Sequence, residues 1–208
     1  MDAVKLDGSS SLVVEFFEYC VNSILYQRGI YPEEDFKLVE KYGVHLFTTR
    51  NDDLRIFLND IVQQLRVWLD ADKINKVILV IKHKNTMETV ERWQFDIKTQ
   101  VNPVAAHDQE TPRTDSNVWT EGGKRQFRAI MRQIAAAVTY LPELNPEDYT
   151  INVLVHADMD ADVPSTWGDT DPGLIKGGGE HMRLKELSTA SHTVTPFVAY
   201  RIMEDPPQ

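Results

Sequence analysis

The sequence predicts an α+β domain in which three helices enclose a mainly antiparallel sheet. Three observations carry that prediction: segments with apolar residues at three- and four-residue steps, segments that alternate with a period of two, and one uninterrupted β-branched run. With 208 residues, 42% of them hydrophobic, the chain suits one domain with a substantial core. It contains no internal repeat and no low-complexity tract.

The first helix is expected over Ser11 to Tyr26, where Leu12, Val13, Phe16, Phe17, Cys20, Ile24 and Leu25 recur at helical steps. Ser9, Ser10 and Ser11 are its candidate N-caps, and Gly29 and Pro32 close it. A second helix follows the Asn51-Asp52-Asp53 cap region, with Leu54, Phe57, Leu58, Ile61, Val62, Leu65, Trp68 and Leu69 as a wide apolar stripe. The run Val77 to Ile81 has the length and branching of a strand buried on both faces. Its hairpin partner spans Val90 to Lys98, where Trp93, Phe95 and Ile97 alternate with Gln94, Asp96 and Lys98, the pattern of a strand with one wet face.

Residues from about Gln100 to Gly123 read as a long surface loop. The third helix is expected from about Lys124 to Tyr140, with Phe127, Ile130, Met131, Ile134, Val138 and Leu141 inward and Pro142 ending it. Tyr149, Ile151, Val153 and Val155 then alternate with Thr150, Asn152, Leu154 and His156 in another strand. From Asp158 onward, Pro164, Gly168, Pro172 and the Gly177 to Gly179 run predict a mobile tail. It holds two strand-like pieces, Met182 to Leu187 and Pro196 to Met203.

The 22 basic against 32 acidic side chains, a formal net charge of −10, argue against a phosphate-tracking grip on nucleic acid. No apolar run reaches the roughly 18 residues of a membrane span, and Met1 to Ser11 lacks the regions of a secretory signal. A soluble intracellular protein without membrane attachment is expected. Cys20 is the only cysteine, so neither an internal disulfide nor a cysteine-based zinc site is possible; it reads as a small buried hydrophobe.

Motifs of chemistry are weak. Asp158, Asp160 and Asp162 resemble the start of a calcium loop, but Val163 stands where the turn needs glycine, Pro164 follows, and Asp169 replaces the bidentate glutamate. Gly122-Gly123-Lys124 lacks the rest of a phosphate loop. A metal-dependent hydrolase built on Asp158, Asp160 and His156 is the remote enzymatic reading. Two charge patterns are more informative. Lys124, Arg128 and Arg132 recur every four residues on the third helix, beside Arg125, as a basic stripe that reads either as a solvated face or as a protein interface. From Glu143 to Gly173 there are eight carboxylates and no lysine or arginine, which accounts for −8 of the −10.

Three segments identify a family. Asn22 to Pro32 (NSILYQRGIYP), Glu91 to Ile97 (ERWQFDI), and Arg132-Gln133 followed by Val138 to Pro142 (VTYLP) closely resemble the HORMA-domain spindle-checkpoint proteins of the mitotic arrest deficient two family. The likeness covers essentially the whole chain, including Val163-Pro164, Trp167 and Val198 to Tyr200. It implies a HORMA fold acting as an adaptor, with no enzymatic activity and no cofactor, that exists in open and closed forms.

In the closed form implied by the resemblance, an extended peptide lies against the strand from about Tyr149 to Ala157. There Ile151, Val153 and Val155, or the opposite set Asn152, Leu154 and His156, meet its side chains. Residues 158–208 wrap over it as a safety belt bearing Trp167, Val198 and Tyr200, on a core of residues 1–157. Arg132 and Gln133, with Thr139 and Tyr140, match an interface where open and closed copies dimerise. Leu6 falls in a segment that pairs with the sheet only in the open form. Thr170 and Thr195 lie near belt positions where the family carries phosphorylatable residues. The implied partners are the mitotic-arrest-deficient-one scaffold, the activator of the anaphase-promoting complex, and a remodelling ATPase with its adaptor. The implied location is nucleus and cytoplasm, with kinetochores in mitosis. The nearest alternative is another HORMA adaptor, a translesion-polymerase subunit or a meiotic-axis protein.

Overall fold

The computed structural model describes residues 7–100 and 118–202. Helices α1 (Asp7–Gln27), α2 (Asp52–Asp70) and α3 (Glu121–Ala137) cover one face of a six-stranded antiparallel sheet. The sheet order is β5 (Tyr149–Ala157), β3 (Ile74–His83), β4 (Thr89–Thr99), β8 (His192–Tyr200) and β6 (Glu180–Arg183), with β7 (Leu187–Ser188) also paired to β8. A separate hairpin, β1 (Phe36–Lys41) and β2 (Val44–Thr49), lies against α1. This hairpin has no counterpart among the sequence expectations.

α1 is apolar on nearly every side and is enclosed accordingly: Phe16, Cys20, Val21, Ile24 and Leu25 are fully buried. It starts earlier than its apolar pattern, at Asp7, so the serines are not N-caps. Ser9 and Ser10 are helical and buried, and Ser9 Oγ meets His192 Nδ1 at 2.8 Å. Gly29 (φ 62°) ends the helix in the left-handed conformation that a β-carbon disfavours. α2 follows its predicted cap, the Asn51 side chain accepting the Leu54 N–H at 3.0 Å.

β3 is buried on both faces as its composition requires: Ile78, Leu79, Val80 and Ile81 are fully enclosed. The face of β4 expected to be wet is only partly so: Lys98 is exposed and Asp96 half-buried, but Arg92 and Gln94 are buried and form a ladder in which Arg92 donates to Gln94 and Gln94 to Asp96. The reason lies in the C-terminal segment, which crosses this side of the sheet. Gly173 (φ 61°) comes so close that a β-carbon would lie 2.8 Å from Leu154 Cδ1 and 3.0 Å from Val80 Cγ1.

α3 starts at Glu121, capped by the Thr120 hydroxyl on the Gly123 N–H at 3.0 Å, and stops at Ala137. Val138 is consequently exposed, not inward, while Leu141 turns back into the core. The basic stripe is not uniform either. Arg132 is exposed, but Lys124 pairs with Glu121 at 2.8 Å and Arg128 donates to the Tyr42 carbonyl at 3.1 Å.

The segment from Asp158 is docked along its described length rather than forming a loose tail. Trp167 packs edge-on against Trp68 with ring centres 5.0 Å apart, the Trp68 indole donates to the Asp162 carbonyl at 2.8 Å, and Lys73 holds Asp160 at 2.6 Å. After crossing the sheet at Asp171 to Gly173, the chain forms β6 and β7 and returns as β8, paired along β4 from Glu91↔Tyr200 to Thr99↔His192. The expected strand Met182 to Leu187 is split: the Leu184 N–H still bonds to the Pro196 carbonyl at 3.0 Å, but proline has no N–H to return. The other piece begins earlier, at His192, and ends at Tyr200; Met203, like Leu6 and most of the predicted loop, lies outside the described residues.

Candidate functional site

Among the described residues β5 has one hydrogen-bonded neighbour, β3, in a register running from Val77↔Val155 through Leu79↔Val153 to Ile81↔Ile151. Its other edge is free. An antiparallel ladder alternates bonded and non-bonded pairs, and the Val153 N–H is turned to the side chain of Asn152, whose Oδ1 accepts it at 2.9 Å. That places Val153, and with it Ile151 and Val155, as the residues whose backbone groups face outward. Val153 is buried in the helix-side core, with Ile151 and Val155 packed beside it. On the opposite face Leu154 joins Ile78 and Val80, while Asn152 and His156 are exposed.

Residues 164–172 run opposite this edge without pairing to it, leaving two adjoining cavities of about 420 and 360 Å³. Both are lined by Asn152, Val153, Thr166 and Trp167. The first extends under Asp169 and Asp171; the second reaches α2 at Phe57, Asp60 and Gln64. The result is a channel walled by an unpaired strand edge, an aromatic roof and three carboxylates. Asp171 anchors the roof, accepting the Gly173 N–H at 2.6 Å and lying 3.8 Å from the buried Lys82 ammonium.

Partial burial, then the nearby Lys76 and Arg92 cations, hold His156 below its ordinary value. Lys73 holds the Asp160 carboxyl below its ordinary value. With Asp160 engaged by Lys73, the trio Asp158, Asp160 and His156 does not form a ligand set. Among the described residues no three His, Cys, Asp or Glu side chains are placed to hold a metal ion.

The other expected site residues separate. Arg132 is exposed on α3, and Thr139 and Tyr140 are exposed just past its end. Gln133 instead turns to the C-terminal segment: its Oε1 accepts the Lys185 N–H at 2.8 Å, as Gln126 two turns earlier accepts that of Ser188 at 3.0 Å. Val198 is fully buried in β8, and the Tyr200 hydroxyl donates to Glu180 at 2.8 Å. Sequence reasoning missed Trp68, Asp171 and Gly173, whose roles depend on the path of the C-terminal segment.

A family model described as the HORMA domain matches residues 9–192. The chain belongs to the HORMA-domain family. Its HORMA relatives include the mitotic spindle checkpoint component mad2 of Schizosaccharomyces pombe, 44% identical over 95% of this chain and 94% of that protein. Human mitotic spindle assembly checkpoint protein MAD2A is 39% identical over 96% and 93%. A chain in the crystal structure of the mitotic checkpoint complex superposes with a TM-score of 0.80 at 42% identity, covering 93% of this chain and 99% of that one. Caenorhabditis elegans HTP-2 bound to a HIM-3 closure motif, 18% identical with a TM-score of 0.72 over 94% and 91%, shares the fold. This HORMA chain is thus a spindle-checkpoint component with a role in mitosis.

The segments that carry the family likeness meet in one buried cluster. Arg28, at the end of α1, pairs with Glu91 of β4 at 2.9 Å, Trp93 donates to the same carboxylate at 2.6 Å, and Arg28 also donates to the Pro142 carbonyl. Burial pushes the Glu91 carboxyl up, and Arg28 and Trp93 pull it back. Both charges are almost fully buried, so losing one partner alone is costly.

Proposed function

We propose that this chain is a non-enzymatic checkpoint adaptor that clamps an extended peptide by adding it as a strand to the free edge of β5. One observation carries the reading: the edge is unpaired, yet roofed by a segment whose far end is anchored as β8 on the opposite side of the sheet. Strand addition would take affinity from the outward backbone groups of Ile151, Val153 and Val155, and specificity from the channel walls. On this reading residues 158–202 act as the safety belt, and the arrangement is that of the closed form.

The shared fold of a protein bound to a closure motif, and the likeness to a chain of the mitotic checkpoint complex, support peptide capture. The ligands fitting this reading are motifs of the mitotic-arrest-deficient-one scaffold at kinetochores and of the anaphase-promoting-complex activator. Capture of the activator would delay anaphase. The carboxylates Asp60, Asp169 and Asp171 along the channel suit a motif with a basic residue, so association slows as salt rises. The exposed side of α3 with Arg132, Thr139 and Tyr140 is the surface for self-association.

The test uses fluorescence anisotropy with a labelled peptide carrying the scaffold motif. Val155→Pro removes an outward N–H without touching the β3 ladder, a position where an edge strand tolerates proline. It should weaken binding at least about tenfold while the melting transition persists; unchanged binding would reject strand addition. Sedimentation of Arg132→Ala reads the second surface, with dimer lost and peptide binding kept.

A further inference from the structure

One donor of the free edge is already taken. Asn152, exposed on β5, covers the N–H of the next residue with its own Oδ1 at 2.9 Å, and both residues line the two cavities. Asparagine is a poor strand former, and its side chain is of the type that offers nearby backbone groups an alternative to the ladder. On an interior strand such a bond would compete with pairing. On an edge strand it closes a donor that would otherwise be open to any passing chain.

We propose that Asn152 is the positioning residue of the channel. Its amide oxygen stands in for a ligand carbonyl and is displaced only by a strand that presents a backbone carbonyl to the Val153 N–H. The Val153 N–H exchanges one acceptor for another, so a correctly placed ligand loses little. A contact that brings only side chains to the edge offers no backbone carbonyl to Val153, leaves the cap in place, and gains nothing there. After displacement the Asn152 amide, with two donors and an acceptor, becomes available to the ligand. Asn152 therefore slows entry slightly and keeps this donor closed to contacts that bring no strand carbonyl.

The cap can be tested without any ligand, and its displacement rests on the strand-addition reading. In the full unliganded chain, amide exchange followed by nuclear magnetic resonance should show Val153 exchanging roughly fivefold faster in Asn152→Ala, the worth of one modest hydrogen bond. Ile151 and Val155 should be unchanged. Asn152→Asp keeps an acceptor oxygen and should stay within about twofold of the parent at Val153. Equal Val153 exchange in parent and Asn152→Ala, or acceleration shared by Ile151 and Val155, would overturn the cap. With the scaffold-motif peptide, Asn152→Ala should associate roughly fivefold faster with little change in dissociation. If the parent binds and association is unaltered, the gating role fails and strand addition stands; if the parent does not bind, strand addition fails and Val153 exchange still decides the cap.

Discussion

At one edge of the central sheet β8 is inserted between β4 and β6, with Val194 and Val198 buried and its length matched residue for residue to β4. At the other, β5 pairs on one side only, and what lies across from it is held by one aromatic contact, the Trp68 bond to the Asp162 carbonyl, one anchored turn and ion pairs such as Lys73–Asp160 that face water. Exposed ion pairs contribute little to stability, whereas buried apolar packing contributes most of it. The same C-terminal segment is thus fixed at its far end and lightly held at its near end. Opening toward the β5 channel needs only local detachment, while release of β8 needs loss of a core strand.

The largest effect is expected where the sealed edge is attacked. Val198→Asp places a carboxylate between Trp93 and Met182 at a position with no exposure. An unpaired buried charge of this kind should cost about 4 kcal/mol or more. Urea unfolding should register that loss, and limited proteolysis should cut between Asp158 and Tyr200. Parent-like stability would mean that β8 is not part of the core.

Trp167→Ala strikes the lightly held side. It removes the edge-on contact with Trp68 but leaves the Trp68 bond to Asp162, so it should cost about 2 kcal/mol at most. Its signature should be kinetic: about tenfold faster release of a bound peptide, with a small fall in melting temperature. A variant that loses stability as severely as Val198→Asp would erase the contrast between the two edges.

How much of this was legible follows the same division. Helix α2 and strand β3 are written in local pattern, the stripe from Leu54 to Leu69 and the run from Val77 to Ile81, because burial of one face or both leaves a periodic trace. The β1–β2 hairpin was not legible: Leu38 is exposed, charged residues fall on both faces, and the turn uses Tyr42 at φ 52° beside Gly43. The path of the C-terminal segment was hidden for a different reason. Trp167, Asp171 and Gly173 act through partners about a hundred residues away or on another face, and neither spacing nor composition encodes those contacts. The burial of Gln94 on the face of β4 expected to be wet has the same cause. Asn152 did leave a signal, an asparagine inside a β-branched strand, a local inconsistency of the sort that marks functional positions.

The smallest effect is pH-dependent and sharpens the comparison, since only the sealed edge carries a buried histidine. His192 begins β8, is fully enclosed, and is tied through Nδ1 to Ser9 of α1, while its Nε2 has no hydrogen-bond partner among the described residues. Burial holds it below the free histidine value of 6.5, against a smaller opposing pull from Asp72 and Asp70. The unfolded chain therefore takes up a proton at His192 before the folded chain does. Its contribution is complete above about pH 7 and declines as pH falls below 6.5, by at most about 1.4 kcal/mol per pH unit. His156 is also lowered, but it is exposed and adds a weaker slope of the same sign. Melting temperatures from pH 7.5 to 5 should fall more steeply for the parent than for His192→Gln, which can keep a bond to Ser9. Amide exchange at pH 5.5 should quicken in β8 relative to β5. Parallel pH profiles for parent and variant would show that acid acts on both edges alike, and the sealed edge would then owe its stability to packing alone.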